Sequence, residues 1–273
     1  MSKITDYSSA SRFDSADVLL KDGTNGTKKI LASDAAVEFA GMVSAVNHRN
    51  VYRGKNLGTS VTSAQKAAIQ AGTFNDLFIG DYWVINGVTW VIADMDYFYN
   101  CGDTAFTKHH LVIVPNSALY NANMNDSNVT TGGYVGSKMY TDNLETAKAT
   151  IASAFGDMVL SHREYLVNAV TDGHPSAGGW FDSTVELMNE IMVYGCHVHT
   201  PANNGITIPT RYTVAKQQLA LFALNPRAIN NRTTIWLRDI VSATNFAIVN
   251  YNGNAASSNA SNSYGVRPEF CIG

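Results

Sequence analysis

Two runs of β-favouring residues, Asp81-Tyr82-Trp83-Val84-Ile85 and Val88-Thr89-Trp90-Val91-Ile92, are separated only by Asn86-Gly87. Asparagine and glycine tolerate positive φ better than other residues, so this pair closes a two-residue turn and sets its flanks antiparallel. Two strands alone are not stable in water, so the rest of the chain must cover this hairpin with further strands or a helix. Candidates are close by. Leu111-Val112-Ile113-Val114 reads as a short buried strand, and the tail holds three more β-like runs at Thr234–Ile240, Asn245–Tyr251 and Tyr264–Ile272.

Helical signals lie between the strands. Thr62 or Ser63 caps a helix that runs from Ala64 to Ala71 and ends at Gly72. Thr141 or Asp142 caps a second through about Phe155, stopped by Gly156. Ser183 and Glu186 have capping-box spacing and predict a third helix over Val185–Val193, with Leu187, Met188, Ile191 and Met192 packed into the core. The predicted class is α+β. At the N-terminus, Asp17-Val18-Leu19-Leu20 and Lys28-Lys29-Ile30-Leu31 flank a Gly/Asn-rich turn, and Ser33 or Asp34 opens an Ala-rich helix to about residue 46. This divides the chain into a small module at 1–50, suited to anchoring or oligomerisation, and a main domain at 51–273.

Charged residues are only 15% of the 273, the net charge is −3, and no Lys/Arg run occurs. That balance argues against nucleic-acid and membrane-surface partners. Cys101, Cys196 and Cys271 are far apart and odd in number, so they read as free buried thiols. The first residues show no apolar signal core, and no apolar stretch reaches the length of a membrane span, so the expectation is synthesis in a cytoplasm with no membrane insertion.

The polar share is carried by Asn, Ser, Thr and Gly. It is densest from Asn252 to Ser263, a segment with neither charge nor large apolar side chain. Strand-like flanks make it an ordered surface loop. Alternation along Phe246, Ile248 and Asn250 against Ala247, Val249 and Tyr251 places the first set inward and leaves the second for an outer face. Trp236 is expected inside, and Val266, Pro268, Phe270 and Ile272 share a core face. Pro268 cannot donate to a ladder, which predicts an edge position or a missing bond. Arg238 and Arg267 are expected to be structural, satisfying carbonyls or carboxylates such as Asp239 and Glu269.

Chemical candidates are few. In Cys196-His197-Val198-His199, both histidines would share a face of a strand, but no spacing rule supplies further zinc ligands. Surface or satisfied histidines are the simpler reading. Asp94 and Asp96 could pair as carboxylates or bind calcium, but beside Trp90, Tyr97 and Phe98 they read as strand-end caps. Nucleophile-elbow, phosphate-loop and dinucleotide motifs do not occur. No catalytic residue, cofactor or metal is expected.

Three ordered segments carry a resemblance: Glu186-Leu187-Met188-Asn189-Glu190-Ile191-Met192-Val193-Tyr194-Gly195, Gln218-Leu219-Ala220-Leu221-Phe222-Ala223-Leu224-Asn225-Pro226, and Trp236-Leu237-Arg238-Asp239 with Gly265-Val266-Arg267-Pro268. Over residues 50–273 the chain resembles phage and prophage proteins with a C-type-lectin-like fold. Its first 50 residues look like leading segments of tail or head fibre proteins. The tail is also similar to the variable proteins of diversity-generating retroelements, the major tropism determinant-like group, in which adenines of the last gene segment are mutated.

That resemblance implies a variable binding region at 228–264. Its contact residues would be Asn230, Asn231, Asn245, Ala247, Val249, Tyr251, Asn254, Ala255, Ser257, Ser258, Asn259, Ser261, Ser263 and Tyr264. Trp236, Arg238, Gly265 and Arg267 would form the fixed frame. The implied function is a non-enzymatic virion adhesin, a homotrimer carried by other virion proteins and meeting a protein or glycan receptor on the host surface. A structural virion decoration is the alternative, and a zinc-dependent enzyme at Cys196, His197 and His199 a further one. Formylglycine-generating oxidases share the architecture, but Cys196 and Cys271 match no redox pair of that kind. The calcium motifs of sugar-binding lectins do not occur either.

Overall fold

The computed structural model describes residues 48–200 and 217–273, together with the backbone of two short strands nearer the N-terminus. Those strands, β1 (Val18–Lys21) and β2 (Lys28–Leu31), pair antiparallel with Val18 opposite Leu31, as the hairpin signal predicts. The expected turn between them and the expected helix from Ser33 lie outside the described residues.

The first helix, α1 (Ser63–Gln70), begins as predicted. The Thr62 hydroxyl accepts the Gln65 amide and the Gln65 side chain accepts the Thr62 amide, a reciprocal box that satisfies two orphan donors. The founding hairpin follows as β3 (Tyr82–Ile85) and β4 (Val88–Met95), with Trp83 opposite Trp90. Asn86 and Gly87 both sit at positive φ, 53° and 77°. Next come β5 (Leu111–Pro115), β6 (Tyr120–Ala122) and α2 (Leu144–Phe155). The predicted Thr141 or Asp142 cap does not form. A wide helical turn over Met139–Asn143 feeds α2 directly, and Thr141 instead donates to the Ser137 carbonyl.

Beyond α2 lie β7 (Val159–Leu160), the long pair β8 (His162–Thr171) and β9 (His174–Ser183), and β10 (Val185–Leu187). Here the predicted helix over Val185–Val193 is corrected. Its first half is strand β10, and only Glu190–Tyr194 is helical, as α3. Ser183 does donate to Glu186, at 2.6 Å, but both groups are buried and hold no helix end. The real N-cap is Asn189, whose side chain accepts the Met192 amide. The chain then continues through α4 (Ala220–Leu224) to β11 (Ile235–Ile240), β12 (Asn245–Val249), β13 (Ala255–Asn259), β14 (Tyr264–Val266) and β15 (Pro268–Ile272).

The result is a mixed α+β architecture, mostly strands in antiparallel sheets with few helices. One sheet runs β10-β15-β5-β4-β3, with β7 also against β15. A second runs β13-β12-β11-β14-β6. Two short connections between the sheets, from β5 to β6 and from β14 to β15, run side by side, and the Leu119 amide ties them by donating to the Val266 carbonyl. Arg267 stands at the second of these. Its guanidinium donates to the Pro115 carbonyl at 2.8 Å and the Ala228 carbonyl at 3.0 Å, and rests on the Phe222 ring. Gly265 is needed because a Cβ there would lie 2.6 Å from the Ala118 Cβ.

Of the two expectations for Pro268, an edge position or a tolerated missing bond, the edge position is corrected. β15 lies inside its sheet, and proline is tolerated as the first residue of the strand. Both faces of β15 are buried, so Glu269 and Cys271 lie as deep as Phe270 and Ile272.

The N-terminal end of the main body starts before residue 51. His48 is buried, stacks on Phe78 and bonds the Phe74 and Leu77 carbonyls through Nδ1. Arg49 meets the buried Asp94 carboxylate in a forked pair, its Nη2 at 2.9 Å. Asp94, read from sequence as a strand-end cap, therefore joins this segment to β4. It also accepts the Ala220 amide at the start of α4.

Candidate binding surface

The predicted contact residues collect around the free edge of the second sheet. β13 is its outermost strand, paired with β12 so that Asn245 faces Asn259, Ala247 faces Ser257 and Val249 faces Ala255. The β12–β13 turn forms one end of the surface. Tyr251 is 62% exposed there, Asn254 is exposed, and Gly253 packs on Asn230, where a Cβ would come within 2.9 Å. Tyr194 holds the turn in place by donating to the Gly253 carbonyl. At the far end, about 15 Å along a five-residue strand, lie Asn245, Asn259, Ser261 and Ser263. Ser261 is fixed by its amide and hydroxyl to the Asn128 side chain.

Two predicted contact residues are corrected. Ala247 is 0% exposed and Val249 1%, so neither reaches a partner. β12 lies between β11 and β13, and Phe246, Ala247, Ile248 and Val249 are all buried. A strand covered on both faces reads as an unbroken apolar run, not as alternation. The segment after it is not a plain loop either. Residues 255–259 are strand β13, held by backbone pairing that does not depend on which side chains they carry.

The remaining predicted residues divide by exposure. Asn230, Tyr251, Asn254, Asn259 and Ser263 are exposed, whereas Asn231, Asn245, Ala255, Ser257, Ser258, Ser261 and Tyr264 are half-buried. Several of the latter are engaged. The Ser258 hydroxyl donates to Tyr264 Oη at 3.3 Å and accepts Asn262 Nδ2 at 2.8 Å. Asn231 donates to the Asn116 carbonyl, which brings it to the rim of a separate cleft of about 440 Å³ lined by Tyr52, Tyr82, Arg227 and Arg267.

The frame residues lie beneath this surface. Trp236 is fully buried, donates from Nε1 to the Ala122 carbonyl and packs against Tyr264 at 5.1 Å between ring centroids. Arg267 meets carbonyls, one of the two expected kinds of partner. Arg238 meets carboxylates, the other kind: it donates to Glu164, 2.6 Å away on β8, and its charge also acts on Asp239 and Glu269. Asp239 accepts the Glu190 amide.

The segment Cys196–His199 is not a strand and does not present its histidines as a ligand pair. It wraps the buried Glu190 carboxylate, which accepts the amides of Val198, His199 and Thr200 at 2.9, 2.9 and 3.0 Å. None of the three cysteines is in a disulfide; Cys101 and Cys271 are buried, whereas Cys196, expected to be buried, is exposed. Among the described residues, one group of His, Cys, Asp or Glu side chains lies close enough to hold a metal ion, and it is elsewhere: His162, Glu164 and Glu269. Sequence reasoning missed it because its members come from β8 and β15, which are far apart in the sequence.

No known protein family, curated protein or solved structure matches this chain. Among the described residues, no helix is long and apolar enough to cross a membrane.

Proposed function

We propose that this chain is a non-enzymatic phage virion adhesin, in which a C-type-lectin-like domain displays the β13 edge to a receptor on the host surface. The observation that carries this reading is the contrast across one strand pair. β13 is uncharged, small and polar, and its backbone is fully paired to β12, which is buried on both faces. Such an edge accepts changes at Asn254, Ser257, Asn259 and Ser263 without disturbing the packing behind it. Tyr251 and Tyr264 add rigid contact area, and Asn and Ser add adaptable hydrogen bonds, the chemistry of antibody loops.

The lectin-like reading is supported by two sheets joined at a fixed Gly-Val-Arg-Pro crossing, with α1 and α2 as the longest described helices. On this account residues 1–47 attach the body to other virion proteins as a homotrimer, and the edge is diversified by adenine-directed mutation of the gene. Its partners are proteins or glycans of a bacterial surface, not nucleic acid.

The test is binding of the labelled full-length chain to whole bacterial cells of a strain panel. Saturable binding to a subset of strains is expected. A Tyr251→Ala/Asn254→Ala/Asn259→Ala variant should lose it, while each exposed change shifts stability by no more than about 0.5 kcal/mol. Equal binding by wild type and variant, or binding to no strain, overturns the reading.

A further inference from the structure

A buried polar cluster lies away from the display edge, where β8 meets β15. Glu164 is buried among three partners. Its Oε2 accepts Arg238 Nη2 at 2.6 Å, its Oε1 lies 3.2 Å from His162 Nε2, and the Glu269 carboxyl stands beside it. Glu269 is 0% exposed, and no amide, hydroxyl or guanidinium donates to its oxygens, so that its hydrogen-bonding neighbour is the Glu164 carboxyl itself. His162 is also buried, and its Nδ1 has no partner. Phe98 and Phe106 wall the imidazole, at 4.1 and 5.7 Å between ring centroids.

A buried carboxylate with no donor is costly unless a proton or a cation neutralises it.

We propose that His162 Nε2, Glu164 Oε1 and one oxygen of Glu269 form a binding site for a divalent first-row transition-metal ion such as zinc. The ligand set selects this class, since imidazole with carboxylates suits zinc and its neighbours, whereas calcium and magnesium take oxygen alone. The geometry agrees. Two ligand atoms at about 2.1 Å from an ion, subtending about 100°, lie about 3.2 Å apart, and His162 Nε2 and Glu164 Oε1 are 3.2 Å apart. Arg238 occupies the other oxygen of Glu164 and orients the carboxylate. The ion would pin β8 to β15 and so lock the long hairpin onto the first sheet. A cleft of about 320 Å³ lined by Thr104, Phe106 and His162 gives a route in from the surface.

Cobalt(II) is the probe, since its visible absorption reports its ligands. The full-length chain is refolded with excess cobalt(II), desalted, and assayed for metal per chain. The expected result is one equivalent per chain, a visible band of a nitrogen- and oxygen-ligated ion, and a melting temperature above that of protein refolded with chelator. Glu269→Gln, which keeps shape and removes the charge, should lower uptake by at least about tenfold while still melting cooperatively. Should that variant fail to fold, the wild-type spectrum decides alone. Three results overturn the proposal: no stoichiometric uptake by wild type, undiminished uptake by folded Glu269→Gln, or a thiolate-to-cobalt charge-transfer band, which would place the ion at the exposed Cys196.

Discussion

At the scale of single residues, Arg267 shows how one side chain holds two sheets together. Its guanidinium bonds a buried carbonyl at the end of β5 and a half-buried one beyond α4. Replacing it by methionine keeps the stem but leaves those carbonyls unpaired. The expected loss is about 2–5 kcal/mol, read from urea unfolding. His110 makes a pH-dependent contribution. Burial pushes its pKa down to about 4; Asp96 favours its charge, and His162 and His109 oppose it. The folded state therefore holds the neutral ring, accepting the Phe98 amide at Nε2. A depressed pKa gives stability that is present above the ordinary histidine value and is lost as pH falls from about 6.5 through about 4. The melting temperature should fall across that window, and His110→Gln should flatten the slope. The sequence made the Arg267 role legible because its partners are backbone carbonyls, which any fold provides. The Arg238 partner was not legible, since Glu164 lies 74 residues away. Nor was the burial of Ala247 and Val249, which depends on a neighbouring strand covering β12.

At the scale of elements, local chemistry succeeded wherever a turn or cap is self-contained. The Asn86-Gly87 hairpin and the Thr62 box involve residues within a few positions of each other, so the sequence carries all their energetics. It misled at Ser183–Glu186, where the spacing of a helix cap serves a buried network instead: Tyr134 and Ser183 donate to the two oxygens of Glu186. The largest hairpin, β8 with β9, went unread although Asp172-Gly173 marks its turn, the same signal that located β3 and β4. Gly173 has a second task there. It sits at φ 78°, and a Cβ would fall 2.8 Å from the Ala243 amide nitrogen, so the hairpin tip touches the β11–β12 turn here. Gly173→Ala should cost about 1–3 kcal/mol. It should also raise amide hydrogen exchange at residues 241–245 more than in β4.

At the scale of the whole molecule, the boundary of the body decides where its anchor ends. Residues 1–50 were expected to form the separate module, yet His48 and Arg49 belong to the core they precede. A chain starting at His48 should melt like the full-length protein. One starting at Val51 leaves Asp94 buried without its guanidinium and should lose about 3–5 kcal/mol, measured by thermal and urea unfolding. The α+β class was legible because strand and helix signals are local. The division into two sheets with a doubled crossing was not, because pairing β15 with β5 and β14 with β6 joins segments some 150 residues apart.

The display reading makes its sharpest statement about which positions are free to change, and sequencing the 3′ end of this gene across many natural copies tests it. Substitutions are predicted to concentrate at the exposed Asn230, Tyr251, Asn254, Asn259 and Ser263, with Ser257 and Ser261 behind them. Ala247 and Val249 should stay fixed alongside Trp236, Arg238, Gly265 and Arg267. An invariant segment, or substitutions falling equally on Ala247, Val249 and the exposed edge, would contradict it.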